Sequence, residues 1–196
     1  MLHPQFAAQV LGLSYLEIPN FAGQQFSIRK HGLELAGQLD RPRKEIAVAT
    51  DFGMDVARYT GAHEVAHFLM HPGHTQHRDR PKNGNSLARE GRDRQEREAD
   101  YFAACYLMPR KMAAREFEAR FGRTPLVFDD HLASALNPAA VEDLMSARKK
   151  DCTREFELAR CRRLGMSNFP SMADRFKVSN KAMQYRLKEL GLLKWP

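Results

Sequence analysis

The segment that most limits how this chain can fold is His63-Glu64-Val65-Ala66-His67, an HExxH sequence set inside a helical run. The run extends from about Met54 to His71, with Asp51 ahead of Phe52 and Gly53 as a start signal and Pro72-Gly73 as the stop. Histidines four apart leave one helix face about 40° from each other with Cβ atoms about 6 Å apart, so both imidazoles can grip one ion. Glu64 is rotated about 100° along the same surface, where it reaches a metal-bound water without being a ligand. A metal lowers the pKa of such a water to about 7, and a carboxylate takes and redelivers the proton. The competing reading is a pair of surface or capping histidines, and a third ligand decides between the two.

Glu96, 29 residues beyond His67 in Glu96-Arg-Glu-Ala-Asp100, is the best candidate. It opens a second amphipathic helix, expected from about Arg94 to Met108 and stopped by Pro109. Relative to Glu96, an apolar stripe of Ala99, Phe102, Ala103, Tyr106 and Leu107 is centred about 60° away, so Glu96 borders the buried face. Glu98 lies about 200° from Glu96, off that stripe, and reads as an acidic helix start favoured by the dipole. Asp100, at about 40°, stays beside Glu96 and can hold a ligand imidazole by its second nitrogen. The Cα of His71 lies about 12 Å along the axis from that of His63, too far for three histidines to share one ion. A helix C-terminal or pocket-wall role suits His71 better. The HExxHxxGxxH pattern is absent, with Met70 and Gly73 at its last two defining positions.

His63-Glu-Val-Ala-His67-Phe-Leu-Met-His71 and Glu96-Arg-Glu-Ala-Asp-Tyr-Phe-Ala-Ala-Cys-Tyr-Leu-Met-Pro109 together resemble the ImmA/IrrE family of zinc metallo-endopeptidases. The likeness covers about residues 45–115 closely. It implies a small gluzincin-like peptidase, binding one zinc ion, that cuts a helix-turn-helix repressor and so relieves repression of stress or mobile-element genes. Mapped onto this chain, it implies His63, His67 and Glu96 as zinc ligands and Glu64 as general base. The long basic stretch 72–95 departs from the family pattern.

Elsewhere the sequence predicts an α+β fold: a small, mostly antiparallel zincin-like sheet, the HExxH helix, a helical bundle and a C-terminal helix-turn-helix-like unit. A short helix is expected over residues 5–13, followed by strands Phe26–Arg29, Leu33–Leu39 and Glu45–Thr50, with Asp40-Arg-Pro-Arg as the turn before the last. The polar stretch His74–Gln95 reads as a mobile loop. More helix is expected over 110–121, 126–135 and 138–163, and Gly165 and Pro170 mark a hinge. The division is therefore a metallopeptidase domain with helical extension, 1–165, and a basic unit, 166–196.

Charge sharpens the tail. From Arg148 onward there are thirteen Lys/Arg and five Asp/Glu, a net of +8, while the preceding 147 residues hold 18 basic and 19 acidic groups, a net of −1, so the +7 net charge is C-terminal. Within the tail, Ala173, Phe176 and Val178 are expected to pack on Met183, Leu187 and Leu190, with Ser179 capping the second helix and Gly191 ending it. Asn180, Lys181, Gln184, Tyr185 and Lys188 are then left facing outward, residue types that contact phosphates and base edges from a major-groove helix. DNA contact and a packing or repressor-recognition role both stay open. So does a rival function, a DNA-binding transcriptional regulator whose zincin domain is scaffold or sensor. No apolar run approaches the roughly 20 residues of a membrane span. Three cysteines without metal spacing suggest a reducing, cytoplasmic setting with no disulfide framework.

Overall fold

A computed structural model describes residues 2–21, 35–73, 76–79 (backbone only) and 93–195. These residues gather into two compact units, Met1–Leu107 and Met108–Pro196. Among them, no helix is long and apolar enough to cross a membrane.

Among the described residues, the first unit is a four-stranded sheet with three helices. Helix α1 (Pro4–Val10) starts on proline at its first position, with His3 Nδ1 accepting from the Gln5 amide. Strands β1 (Ser14–Ile18), β2 (Gly37–Asp40), β3 (Glu45–Ala49) and β4 (Gln76–Asp79) line up in the order β1-β3-β2-β4. Both β2–β3 and β2–β4 are antiparallel, whereas β1 joins β3 in parallel with Ser14 opposite Glu45 and Ile18 opposite Ala49. The sheet is thus mixed, with antiparallel pairings in the majority. Strand β1 is a correction to the sequence reading: as an edge strand with Ser14, Leu16 and Glu17 exposed, it lacks a clean apolar alternation. The expected strand Phe26–Arg29 and the start of Leu33–Leu39 lie outside the described residues. Of the expected loop His74–Gln95, residues 76–79 form β4, 93–95 are described, and the rest lies outside.

Strand β3 is buried on both faces. Ile46 and Val48 point to a cluster with Ala8 of α1 and Ala57 and Val65 of the HExxH helix, joined at its margin by Phe102. Ala47 and Ala49 point the other way, to Ile18 and Phe21. The HExxH helix, α2 (Met54–Met70), begins and ends where the sequence placed it, but Asp51 is not its cap. Gly53, at φ 97°, occupies the N-cap, and Asp51 instead accepts from Asn20 Nδ2 at 2.8 Å. Helix α3 runs over Arg94–Leu107.

The second unit holds α4 (Arg110–Phe121), β5 (Leu126–Val127), α5 (Asp130–Leu136), α6 (Val141–Ser146), α7 (Thr153–Arg160), a hairpin of β6 (Arg163–Leu164) and β7 (Ser167–Asn168), α8 (Met172–Phe176), α9 (Asn180–Leu190) and β8 (Leu193–Lys194). The helix expected over 126–135 starts only at Asp130, because Asp129 caps it through the Leu132 amide and Leu126–Val127 pairs in parallel with β8. The single helix expected over 138–163 is broken. A 3-10 turn at Pro138–Ala140 precedes α6, and the break before α7 exposes two helix-end carbonyls that buried Arg154 takes, Leu144 and Met145, each at 2.8 Å. Gly165 is not a hinge but the left-handed turn residue of the β6–β7 hairpin, at φ 59°. The division drawn at 165/166 falls inside this unit, since α8 and α9 pack on α7. Ser179 and Gly191 cap α9 as expected, and Ser171 forms a capping box with Asp174 on α8. Of the six expected core residues, all but Leu190 are fully buried.

Candidate metal centre

Two glycines bring α2 hard against the sheet. A Cβ on Gly61 would lie 2.1 Å from the Tyr15 hydroxyl of β1. One on Gly37 of β2 would lie 2.3 Å from Thr60 Cγ2 and 3.4 Å from Glu64 Oε1. Side chains at either position would hold helix and sheet apart. With the sheet on one side and α3 on the other, every residue from Ala57 to His67 except Tyr59 is buried. The last turn of α2 is closed by Arg41, from the β2–β3 turn. Its guanidinium donates to the carbonyls of His67, Phe68 (3.1 Å) and His71 (2.9 Å) and stacks 5.0 Å over the Phe68 ring. Tyr59 ties the second helix in place by donating to the Asp100 carbonyl at 2.9 Å.

This packing brings His63, His67, Glu96 and Asp100 together. His63 Nε2 and His67 Nε2 stand 2.9 Å apart, and the Glu96 carboxylate oxygens lie 3.5 Å and 3.3 Å from them respectively. One donor atom from each of the three residues falls within 4.8 Å of the others. Both imidazoles are buried and Glu96 is 24% exposed, so the set opens to solvent on the carboxylate side. Asp100 Oδ1 sits 2.9 Å from His63 Nδ1. A carboxylate only accepts, so the network assigns the proton to His63 Nδ1 and leaves its Nε2 lone pair aimed at Glu96 and His67. Two imidazoles and a carboxylate at this spacing are a donor set suited to a divalent cation such as zinc. Glu64, wholly buried, is adjacent in sequence to His63 and lies beneath Gly37 of β2.

Two residues set aside in the sequence reading enter here. His71, 4% exposed, places Nδ1 3.0 Å from His67 Nδ1. Its Nε2 lies 3.1 Å from Glu98 Oε2, while Glu98 also accepts from Arg94 Nε at 2.8 Å. Arg94 is the first cause holding the Glu98 carboxyl below its usual range, with His71 second. Glu98 is therefore more than an exposed helix start. The i, i+4 spacing of His67 and His71 is the available signal, and the helix C-terminal or pocket-wall role expected of His71 names no partner for it.

The C-terminal candidates belong to the second unit and do not form the outward face expected of them. Asn180 is exposed, and Lys181 Nζ lies 5.6 Å over the ring of half-buried Tyr185. Gln184 is buried at 4% exposure, its Nε2 donating to the Cys152 carbonyl at 2.8 Å. Lys188 Nζ leans on the same turn, 3.1 Å from Cys152 Sγ and 3.4 Å from the Lys150 carbonyl. The cause is α7, which covers a flank of α9 that a polar residue gave no reason to bury. Much of the basic surplus is also matched internally: Arg148 with Asp151, Arg160 with Glu157, Arg162 with Asp174, Arg175 with Glu116, and Arg186 with Glu189.

Compared with functionally curated proteins, the chain matches none. The family model Peptidase_M78, described as the IrrE N-terminal-like domain, matches residues 13–125, more than half the chain and the whole of the site. A peptidase family model and a His-His-Glu cluster built from the HExxH helix and α3 lead to the same place, and the chain belongs to the IrrE N-terminal-like peptidase family.

Proposed function

We propose that this chain is a zinc-dependent endopeptidase in which His63, His67 and Glu96 hold the ion and Glu64 is the general base. The observation that carries the reading is the convergence of those three donors, with Glu64 on the same helical turn, in a chain of a peptidase family. Zinc bound there supplies Lewis acidity toward a peptide carbonyl and acidifies water. Glu64 takes a proton at its carboxylate from the water whose oxygen bonds to the carbonyl carbon, and delivers it to the departing amine nitrogen as the peptide C–N bond breaks. Asp100 holds His63 in the tautomer that presents Nε2 to the ion.

The substrate we propose is a helix-turn-helix repressor of the same cell, cut in the cytoplasm to release stress or mobile-element genes, as the ImmA/IrrE resemblance implies. The start of α9, where Asn180 is exposed and Lys181 half-buried, is the surface we offer for such a partner or DNA. The rival reading, a DNA-binding regulator with a zincin scaffold, is weakened by the burial of Gln184 and the engagement of Lys188 with the 150–152 turn. The test is incubation of the metal-loaded protein with the cell's repressor-type proteins, followed by mass spectrometry of new termini. A discrete internal cut, stopped by chelation and restored by zinc, is expected. Intact repressors throughout would remove the substrate proposal.

A further inference from the structure

His67 can satisfy its surroundings in two ways, and only one of them binds a metal. With the ring proton on Nε2, it donates to His63 Nε2 at 2.9 Å or to Glu96 Oε1 at 3.3 Å, and the nitrogen that faces the site is blocked. With the proton on Nδ1, Nε2 offers its lone pair. The residues on the far side of the ring select between these states.

Glu98 is an acceptor, so the His71 nitrogen 3.1 Å from it, Nε2, carries the proton. The Nδ1 of a neutral His71 is then an acceptor, and it lies 3.0 Å from His67 Nδ1. That contact is a hydrogen bond only if His67 carries its proton on Nδ1. His71 is itself held on both sides. Arg41 fixes its carbonyl at 2.9 Å, and Glu98 is fixed by Arg94 at 2.8 Å. Asp100 performs the same service for His63 in one step, at 2.9 Å. Through His71, His67 Nδ1 is linked to the Glu98 carboxylate in two steps.

We infer that His71 and Glu98 are positioning residues, a two-step relay that holds His67 in the tautomer able to bind metal. This rests on His63, His67 and Glu96 being the metal ligands. Outer partners of this kind typically change metal affinity by about 10–100-fold. His71→Leu, which fills the space but accepts nothing, is expected to lower zinc affinity by about that factor. His71→Asn keeps an acceptor oxygen near the position of Nδ1 and is expected to restore most of it. Glu98→Ala, on a side chain 42% exposed, leaves the fold intact and frees His71 to reverse its own tautomer, so a smaller loss in the same direction is expected.

The experiment is chelator competition for zinc across wild type, the three variants and His63→Ala. It is paired with nitrogen-15 NMR of the histidine rings in the metal-free protein. Expected are a His67 Nδ1–H tautomer in wild type, a shift toward Nε2–H in His71→Leu, and affinities in the order wild type, His71→Asn, Glu98→Ala, His71→Leu. Folded His71→Leu and Glu98→Ala proteins that bind zinc like wild type, or a wild-type His67 protonated on Nε2, would overturn the relay. If His71→Leu does not fold, Glu98→Ala alone decides by the same criterion. Wild-type protein that binds no zinc, or whose affinity survives His63→Ala, would instead overturn the metal site itself.

Discussion

Gly61 sits inside α2, two residues before His63, where a Gly→Ala change would ordinarily stabilise a helix by about 1 kcal/mol. Here the sign reverses. The new Cβ would lie 2.1 Å from the Tyr15 hydroxyl and 2.9 Å from ring carbons Cε2 and Cζ. Overpacking a filled site costs about 1–3 kcal/mol, and an overlap this deep, against a ring held on β1, belongs at the upper end. The net expectation is a loss of about 2 kcal/mol, or about 4–8 °C in Tm for a chain of this length. Tyr15→Phe supplies the second arm of a double-mutant cycle. The Tyr15 hydroxyl is buried without a hydrogen-bond partner, so its removal is expected to be neutral or stabilising. In the double variant the 2.1 Å contact disappears and the nearest atoms are the ring carbons at 2.9 Å, so part of the loss returns, with a coupling of about 1 kcal/mol. Gly73→Ala, with nothing within 4 Å, is the neutral control. Thermal and urea melts followed by circular dichroism provide the readout. A Gly61→Ala protein melting at or above wild type, or two strictly additive substitutions, would refute the close approach of helix and sheet.

Other consequences follow from single contacts. Arg41→Ala removes the donor that closes the last turn of α2 and is expected to cost about 1–3 kcal/mol in urea unfolding; Arg41→Lys, which can donate from one nitrogen but lacks the planar group stacked over Phe68, restores only part. Burial, then Glu17, raises the Tyr15 hydroxyl above its ordinary 10.0, against a smaller opposing effect of Arg58. Its contribution to stability is therefore whole below about pH 10 and lost as pH rises further, because only the unfolded chain ionises there, and Tyr15→Phe should flatten that alkaline slope. On the acid side, Glu116 is held below its ordinary range chiefly by hydrogen bonding to Arg120. Its contribution is present above about pH 4.5 and fades as pH falls, a fade that Glu116→Gln should remove from the urea midpoints. Gln184→Ala is expected to destabilise the protein by about 1–3 kcal/mol, whereas Asn180→Ala and Lys181→Ala should leave the melt unchanged; the reverse pattern would restore Gln184 to an exposed face.

What could be read from the sequence was what depends on neighbours along the chain. HExxH, the ends of α2 and α3, and the Ser179 and Gly191 caps are local patterns, and each is where the spacing put it. The pairing of Glu96 and Asp100 with the histidines was legible too, because helix periodicity separates them from Glu98. What escaped depends on contacts across space. Strand β1 is an edge whose exposed residues hide its alternation. The break before α7 follows from a buried arginine that needs two helix-end carbonyls. Gln184 is buried because a backbone carbonyl of another segment meets it, and nothing in its own helix signals that partner. Glu98 reaches His71 only because α2 ends where α3 passes, a meeting no periodicity of either helix encodes.

The central claim is that His63, His67 and Glu96 hold a zinc ion beside a proton-transferring Glu64. Its most direct test measures metal content and peptide cleavage on the same samples of wild type and Glu64→Gln. About one zinc per chain in both proteins, with new termini generated by wild type alone, is the expected result. Cleavage that persists in Glu64→Gln, or a wild-type protein that cleaves with no metal bound, would contradict it.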